Sequence, residues 1–532
     1  MAAAEDVNNS QGGEWKKRES FGSAMGQIAL VAVLLAGGVF FYWKNDKTKK
    51  DVSERMKAIR AIVVKDNPSD LQQALKQLDE VLQVKAESPE ALSMATGIYT
   101  EQWLIHKLPG ADAKAKDFLS RATKADARGE DRHASQALIL TAEGKAKEAE
   151  SYIEEQRKKG ATSPKLFYAQ GLALKSQGNT ALAKPALNSA MEKAWRDPLY
   201  ACGLGDLLLE EGSWGQAFDT YAKGLTANPE HVRSTLGMAA ARIYRRMGGK
   251  ESVEVVTKLL ANEAEMTPGL KARALAILAE AANVEARYDD AIKQAELALQ
   301  SNPDDTWALF AKARALAYKK DPGASAAFDQ LIAKAGTAPV FFFDGALLLQ
   351  GAGQSEAALA LLAKYENFYQ NIKNTAPDGT VVGALDRDDR YWLAKGDVLR
   401  SANKLDDAMA AYDKAVAAKN VNVIRAQYAR GSVFIAKKDF DSALKELMPI
   451  TPADGTGALA EAYVAMGDTQ FAKKEYAAGC QNYAFALTKM KQTQVPREQL
   501  NAMLTDVEKR LAAAGQKAMS QAWVKEAKPI IQ

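Results

Sequence analysis

The chain has 532 residues, with 70 Lys and Arg against 66 Asp and Glu and a formal net charge of +4. So even a balance argues against a protein that works by neutralising nucleic-acid phosphates, and the length exceeds the roughly 250 to 300 residues that one hydrophobic core sustains. Two cysteines, Cys202 and Cys480, and three histidines, His106, His133 and His231, exclude a disulfide-stapled scaffold, a four-cysteine metal site and paired histidines at helical ligand spacing.

A polar tail over residues 1–24 leads into MGQIALVAVLLAGGVFFYW, Met25 to Trp43, which contains no charged side chain. Nineteen helical residues reach about 28 Å, close to the roughly 30 Å of a bilayer's hydrocarbon core. The run predicts a transmembrane helix over 25–43, with Tyr42, Trp43 and Lys44 as an aromatic and basic interface anchor. A cleavable signal has a shorter apolar stretch ending in small residues, whereas this one continues past Ala36-Gly37-Gly38 into four aromatics, so an uncleaved anchor is expected. Residues 44–65 read as a basic juxtamembrane helix or linker, with Val52, Met56, Ile59 and Val63 at helical spacing. Flanking Lys and Arg favour a cytoplasmic C-terminal part. Long domains cross regardless of such charges, and the expectation is a location outside the cytoplasm, with the cytoplasm as the alternative.

After about residue 66 the text becomes short amphipathic helices separated by Gly, Asn-Pro and Asp-rich turns. Ala149, Ala183 and Ala217 recur every 34 residues, each followed four residues later by a large side chain, Ile153, Leu187 or Tyr221. Two helices of about a dozen residues with their turns fill such a period. One unit holds Gly205, Leu208, Gly212, Trp214, Ala217, Tyr221, Gly224 and Pro229; a later one holds Gly396, Leu399, Leu405, Ala408, Tyr412 and Ala415; the last clear one holds Gly467, Phe471, Tyr476, Gly479, Tyr483 and Ala486. This order of small, large and turn residues resembles the tetratricopeptide repeat. The resemblance implies an all-α fold, a right-handed superhelix (α-solenoid) of on the order of eleven or twelve units, preceded by the single transmembrane helix. The first arm is expected over 66–370, a polar loop insertion over 371–389, the second arm over 390–515 and a C-terminal helix or tail over 516–532.

Chemistry-bearing motifs are missing. There is no phosphate-binding loop, and Gly351-Ala352-Gly353 reads as the turn inside a repeat. His231, following Asn228-Pro229, is expected exposed at the start of a repeat helix, and no histidine sits in a nucleophile or metal motif. The expectation is therefore no enzyme, no catalytic residue, no cofactor, no metal, no nucleic acid and no small-molecule substrate. In tetratricopeptide proteins the first helices of the repeats line a concave groove. Transfer of its places implies a peptide groove of Lys165, Tyr168, Lys175 and Asp206, then Arg390, Asp397, Arg400, Arg425, Tyr428 and Asp468. Relatives that clamp an acidic C-terminus carry Asn where Asp206, Asp397 and Asp468 stand, which argues against such a ligand. The resemblance extends to anchored bacterial envelope proteins. It implies a scaffold for protein–protein interactions in an assembly, secretion or motility complex, anchored by one pass in the inner membrane with the repeats in the periplasm. The alternative is a periplasmic holdase for secreted or outer-membrane clients.

Overall fold

The computed structural model describes residues 29–30, 33, 50–125, 129–247, 249–335, 338–370, 385, 388–419, 422–493 and 495–531. Most of the predicted span 25–43, all of Tyr42, Trp43 and Lys44, and most of the insertion 371–389 lie outside these residues. Among the described residues no helix is long and apolar enough to cross a membrane, and there is no strand.

Helices α1 (50–63) and α2 (Pro68–Val84) open an array of hairpins. Next come α3 (Pro89–Leu104) with α4 (Ala111–Ala125), α5 (Glu130–Ala142) with α6 (Ala146–Lys158), α7 (Pro164–Ser176) with α8 (Thr180–Lys193), and α9 (Pro198–Glu210) with α10 (Trp214–Ala227). The first arm continues as α11 (Val232–Tyr244) with α12 (Gly249–Leu260), α13 (Pro268–Val284) with α14 (Tyr288–Ser301), α15 (Thr306–Tyr318) with α16 (Ala324–Ala335), and α17 (Pro339–Gly351) with α18 (Ser355–Gln370). The second arm comprises α19 (Asp389–Ser401) with α20 (Leu405–Ala417), α21 (Val423–Ala436) with α22 (Phe440–Leu447), α23 (Ala460–Ala472) with α24 (Tyr476–Gln492), and α25 (Arg497–Ala513) with α26 (Lys517–Ile531).

Local chemistry sets the hairpin. Proline stands in the first turn of α2, α3, α7, α9, α13 and α17, where its missing N–H costs no intrahelical bond. Inside each hairpin the first helix stops at a left-handed residue, and Gly144, Gly178, Gly212 and Arg246 take this conformation 34 residues apart. Ala149, Ala183 and Ala217 are fully buried, as are Ile153, Leu187 and Tyr221. The glycine of the first helix makes room for the tyrosine of the second. A Cβ on Gly205, Gly396 or Gly467 would come within 3 Å of the ring of Tyr221, Tyr412 or Tyr483.

Each odd-numbered helix from α3 to α21 also packs on the next odd-numbered one, so these helices form a continuous layer. Within that layer α9 meets α17, four hairpins away, which makes it the concave side of a tightly wound coil. The predicted juxtamembrane helix belongs to the array: Val52, Met56 and Ile59 of α1 are buried in one cluster with Leu71, Leu78, Leu92 and Ile98. At the other end α26 packs on α24 and buries Trp523, Ala527 and Ile531, covering the last repeat face.

Candidate peptide groove

In the first arm the coil closes on itself through two seams. The α1–α2 turn docks into the α10–α11 turn by a reciprocal exchange. Asn67 Nδ2 donates to Glu230 O (3.3 Å) while its Oδ1 accepts from Val232 N (3.0 Å), and Asn228 Nδ2 donates to Lys65 O (2.8 Å). The α3–α4 turn docks on α13, where Gly269 N donates to His106 O (2.9 Å) and His106 Nδ1 lies 3.1 Å from Thr267 Oγ1. Farther along, Tyr369 Oη donates to Gly178 O (3.1 Å) and Arg390 donates to Glu211 O.

His231 is therefore not exposed, as its place after Asn228-Pro229 led us to expect, but 0% exposed at the first seam. Its Nε2 faces Asp66 Oδ2 at 3.3 Å, and its Nδ1 lies 2.8 Å from Ser234 Oγ and 3.9 Å from Cys202 Sγ. Burial opposes the imidazolium, but the Cys202 sulfur and the Asp66 carboxylate outweigh it and push His231 up to about 10. The residue types resemble a nucleophile–base–acid set, yet Cys202 and Ser234 are also 0% exposed, and the cluster holds two turns together. His106, at the second seam, is pushed down to about 4 by burial.

Closure consumes the predicted groove residues of this arm. Lys165 pairs with Glu101 (3.5 Å), both largely buried, and burial raises Glu101 to about 7 against the pull of Lys165. Tyr168 is 3% exposed, edge-on to Tyr200. Lys175 donates to Glu210 (2.6 Å). Asp206 accepts from Tyr221 Oη (2.6 Å) and from Arg233 (2.7 Å), and although burial raises its carboxyl, Arg233 and Arg273 hold it below the ordinary carboxylate range. All four are engaged by neighbours within the array.

The second arm keeps an open cavity of about 1040 Å³ on its odd-helix layer, between α21, α23 and the α24–α25 connection. Arg400, Tyr428 and Asp468, three of the predicted groove residues, line it. Arg425 is exposed on α21, and Arg390 lies away from the cavity, where it ties α19 back to the first arm. The aspartates keep one structural duty: Tyr412 Oη donates to Asp397 (2.7 Å) and Tyr483 Oη to Asp468 (2.7 Å), repeating the Tyr221–Asp206 bond at the same 15-residue spacing. Each satisfies a tyrosine hydroxyl buried beside a glycine. Burial raises the Asp397 carboxyl despite Tyr412 and Arg400. Arg510 of α25 also donates to Asp468 (2.8 Å), leaving Arg400 and Lys489 as the cationic side of the cavity and Ile435, Val464, Met490 and Met503 as its apolar side.

Lys489, Met490 and Met503 were not legible as groove residues, because they come from the second helix of one hairpin and from the closing hairpin. The α24 helix runs 17 residues, against 13 in α20 and 14 in α14, and its last turn carries Lys489 and Met490 to the cavity.

Residues 389–422, which are α19, α20 and the turn that follows, match the family described as Tetratricopeptide repeat. By this match the α19–α20 hairpin is a tetratricopeptide repeat. Its glycine–tyrosine contact recurs in the α9–α10 and α23–α24 hairpins, and its buried alanines and left-handed turn recur more widely along the array. No curated protein matches the sequence. Among solved structures, the APC/C hetero-tetramer Cut9-Hcn1 is similar at 12% identity over 86% of this chain and 93% of that one, with a TM-score of 0.38. The human IFIT1 dimer with PPP-AAAA is similar at 15% identity over 76% and 94%, with a TM-score of 0.42. Neither likeness bears on what this chain binds.

Proposed function

We propose that this tetratricopeptide protein is a non-enzymatic scaffold, tethered to the inner membrane of a bacterium by the helix expected over 25–43, that holds a peptide segment of an envelope partner in the groove of its second arm. The observation that carries the reading is the contrast along the odd-helix layer: the first arm keeps a cavity of about 260 Å³ there and the second one of about 1040 Å³, while the first arm's larger cavity, about 1070 Å³, lies at the seam between the α1–α2 turn and α10–α12. A repeat array generally binds proteins along such a face. The lining fits an amphipathic segment with acidic side chains toward Arg400 and Lys489 and an apolar face toward Ile435, Val464 and Met490. Tethering raises the local concentration of the groove near membrane-bound partners, so modest affinity suffices.

A photo-crosslinking residue at position 428 in intact cells tests the groove, with position 168 as the sealed control. One dominant adduct from 428 alone supports the scaffold, a ladder of many adducts points to a holdase, and equal yields from 428 and 168 refute the assignment. A reporter fused after residue 531 tests the compartment. Activity of a cytoplasmic reporter would overturn the periplasmic part of the proposal without touching the groove.

A further inference from the structure

On the odd-helix layer of the first arm a cavity of about 260 Å³ lies between α3, α7, α9, α11, α13 and α15. Four basic side chains line it, Lys107, Lys175, Arg233 and Arg273, against three carboxylates, Asp206, Glu210 and Asp305. Two of these cations are neutralised in direct pairs, Lys175 with Glu210 (2.6 Å) and Arg233 with Asp206 (2.7 Å). The third carboxylate is committed to capping α15, where Asp305 Oδ1 accepts from Ala308 N (2.8 Å). Neither Arg273 nor Lys107 has a carboxylate within ion-pair distance among the described residues, and Arg273 Nη2 is buried with no hydrogen-bond partner there. Lys107 stands at the mouth in the left-handed backbone region, φ 56°. The cavity also receives the N-termini of two helices, α13 at Gly269 and Leu270 and α15 at Thr306 and Trp307, whose dipoles favour negative charge. The Trp307 ring packs on the Arg273 guanidinium, 4.8 Å from its centroid, and adds an apolar wall.

We infer that this cavity is a binding site for a small anion, one carboxylate or phosphate head on a short apolar body. The head completes the coordination of Arg273 and meets Lys107, and the body lies against Trp307. The volume admits on the order of ten heavy atoms, too few for a peptide segment, so the site is distinct from the second-arm groove and does not depend on it. One anionic charge balances the excess of one cation in the lining, and a buried guanidinium nitrogen left without an acceptor costs more than one that is satisfied.

The test is calorimetric titration of the full-length protein in detergent with benzoate and with inorganic phosphate, against chloride at matched ionic strength and neutral benzamide. The expected result is one site per chain for at least one of the two anions. Losing a charge-assisted contact of about 1.5 to 3 kcal/mol weakens binding at least tenfold in Arg273→Gln, while Arg273→Lys loses less. Lys107→Gln, on an exposed turn whose replacement leaves the fold intact, weakens binding several-fold, and Arg400→Gln in the other groove leaves it unchanged. Benzoate alone identifies a carboxylate ligand and phosphate alone a phosphate ligand. Absence of binding by both, binding by benzamide equal to benzoate, or unchanged affinity in both Arg273→Gln and Lys107→Gln overturns the inference.

Discussion

Asn67→Ala opens the first seam, and its cost follows from what each atom of the amide does. Asn67 caps α2 by position, but its side chain makes no capping bond there, so the substitution leaves the helix start alone. It removes the bond from Nδ2 to Glu230 O and the bond accepted from Val232 N. A lost hydrogen bond costs about 1 kcal/mol net, and a buried N–H left without a partner adds about 1 to 3 kcal/mol. The Nδ2 contact is long and adds little, so the sum is about 2 to 4 kcal/mol. In an array that opens locally this raises the opening equilibrium of the seam about 30- to 900-fold. Hydrogen–deuterium exchange read by mass spectrometry over residues 60–72 and 226–236 measures it, with α19 to α22 as the internal reference. The expected outcome is faster exchange at both stretches and no change in the reference. Asn228→Ala, which removes the exposed reciprocal bond to Lys65 O, gives a smaller effect of about 1 kcal/mol, and the double variant is less than additive because both act on one contact. Seam exchange within threefold of the parent, or equal acceleration along the whole array, would refute the reasoning.

Gly396→Ala places a Cβ within 3 Å of three ring carbons of Tyr412, and overpacking of about 1 to 3 kcal/mol outweighs a helix-propensity gain of about 1 kcal/mol; urea unfolding of the second arm should show net loss. Two glycines with nothing within 4 Å separate backbone from packing: Gly215→Ala, in α10, is expected to stabilise by up to about 1 kcal/mol, whereas Gly353→Ala, at φ 83°, is expected to destabilise by about 1 kcal/mol. Equal thermal shifts for the two would contradict this. His106 gives a pH signature. Burial lowers it to about 4 in the folded chain, with Thr267 as its hydrogen-bond partner and Asp66, Arg233 and His231 acting on it electrostatically. The unfolded imidazole, near 6.5, binds its proton first as pH falls. Stability is therefore full above about 6.5 and declines toward pH 4, on the order of 2 to 3 kcal/mol in total. His231, held protonated up to about 10, contributes fully below about 6.5 and loses that contribution progressively between about 6.5 and 10, so its slope is opposite in sign to that of His106 and falls mostly above this window. The thermal midpoint of the first arm between pH 7 and 5 should depend less on pH in His106→Gln, and an unchanged slope would count against the seam's role.

The local unit of this helical-hairpin array was determined by the sequence alone. The 34-residue recurrence of Ala149, Ala183 and Ala217, the prolines that start helices and the Gly–Tyr pairs each act within one hairpin. Short-range sterics decide them, so the buried alanines and the left-handed turns fall where the spacing puts them. Tertiary structure alone decided which stretch of the concave face remains open. Small rotations between successive hairpins accumulate along the coil until turns separated by about 160 residues, such as Asn67 and Asn228, meet. No local pattern encodes that sum. It depends on the packing of every intervening helix pair, and through it His231 became buried, Lys165 and Asp206 became internal partners, and Arg400 and Tyr428 were left facing open space.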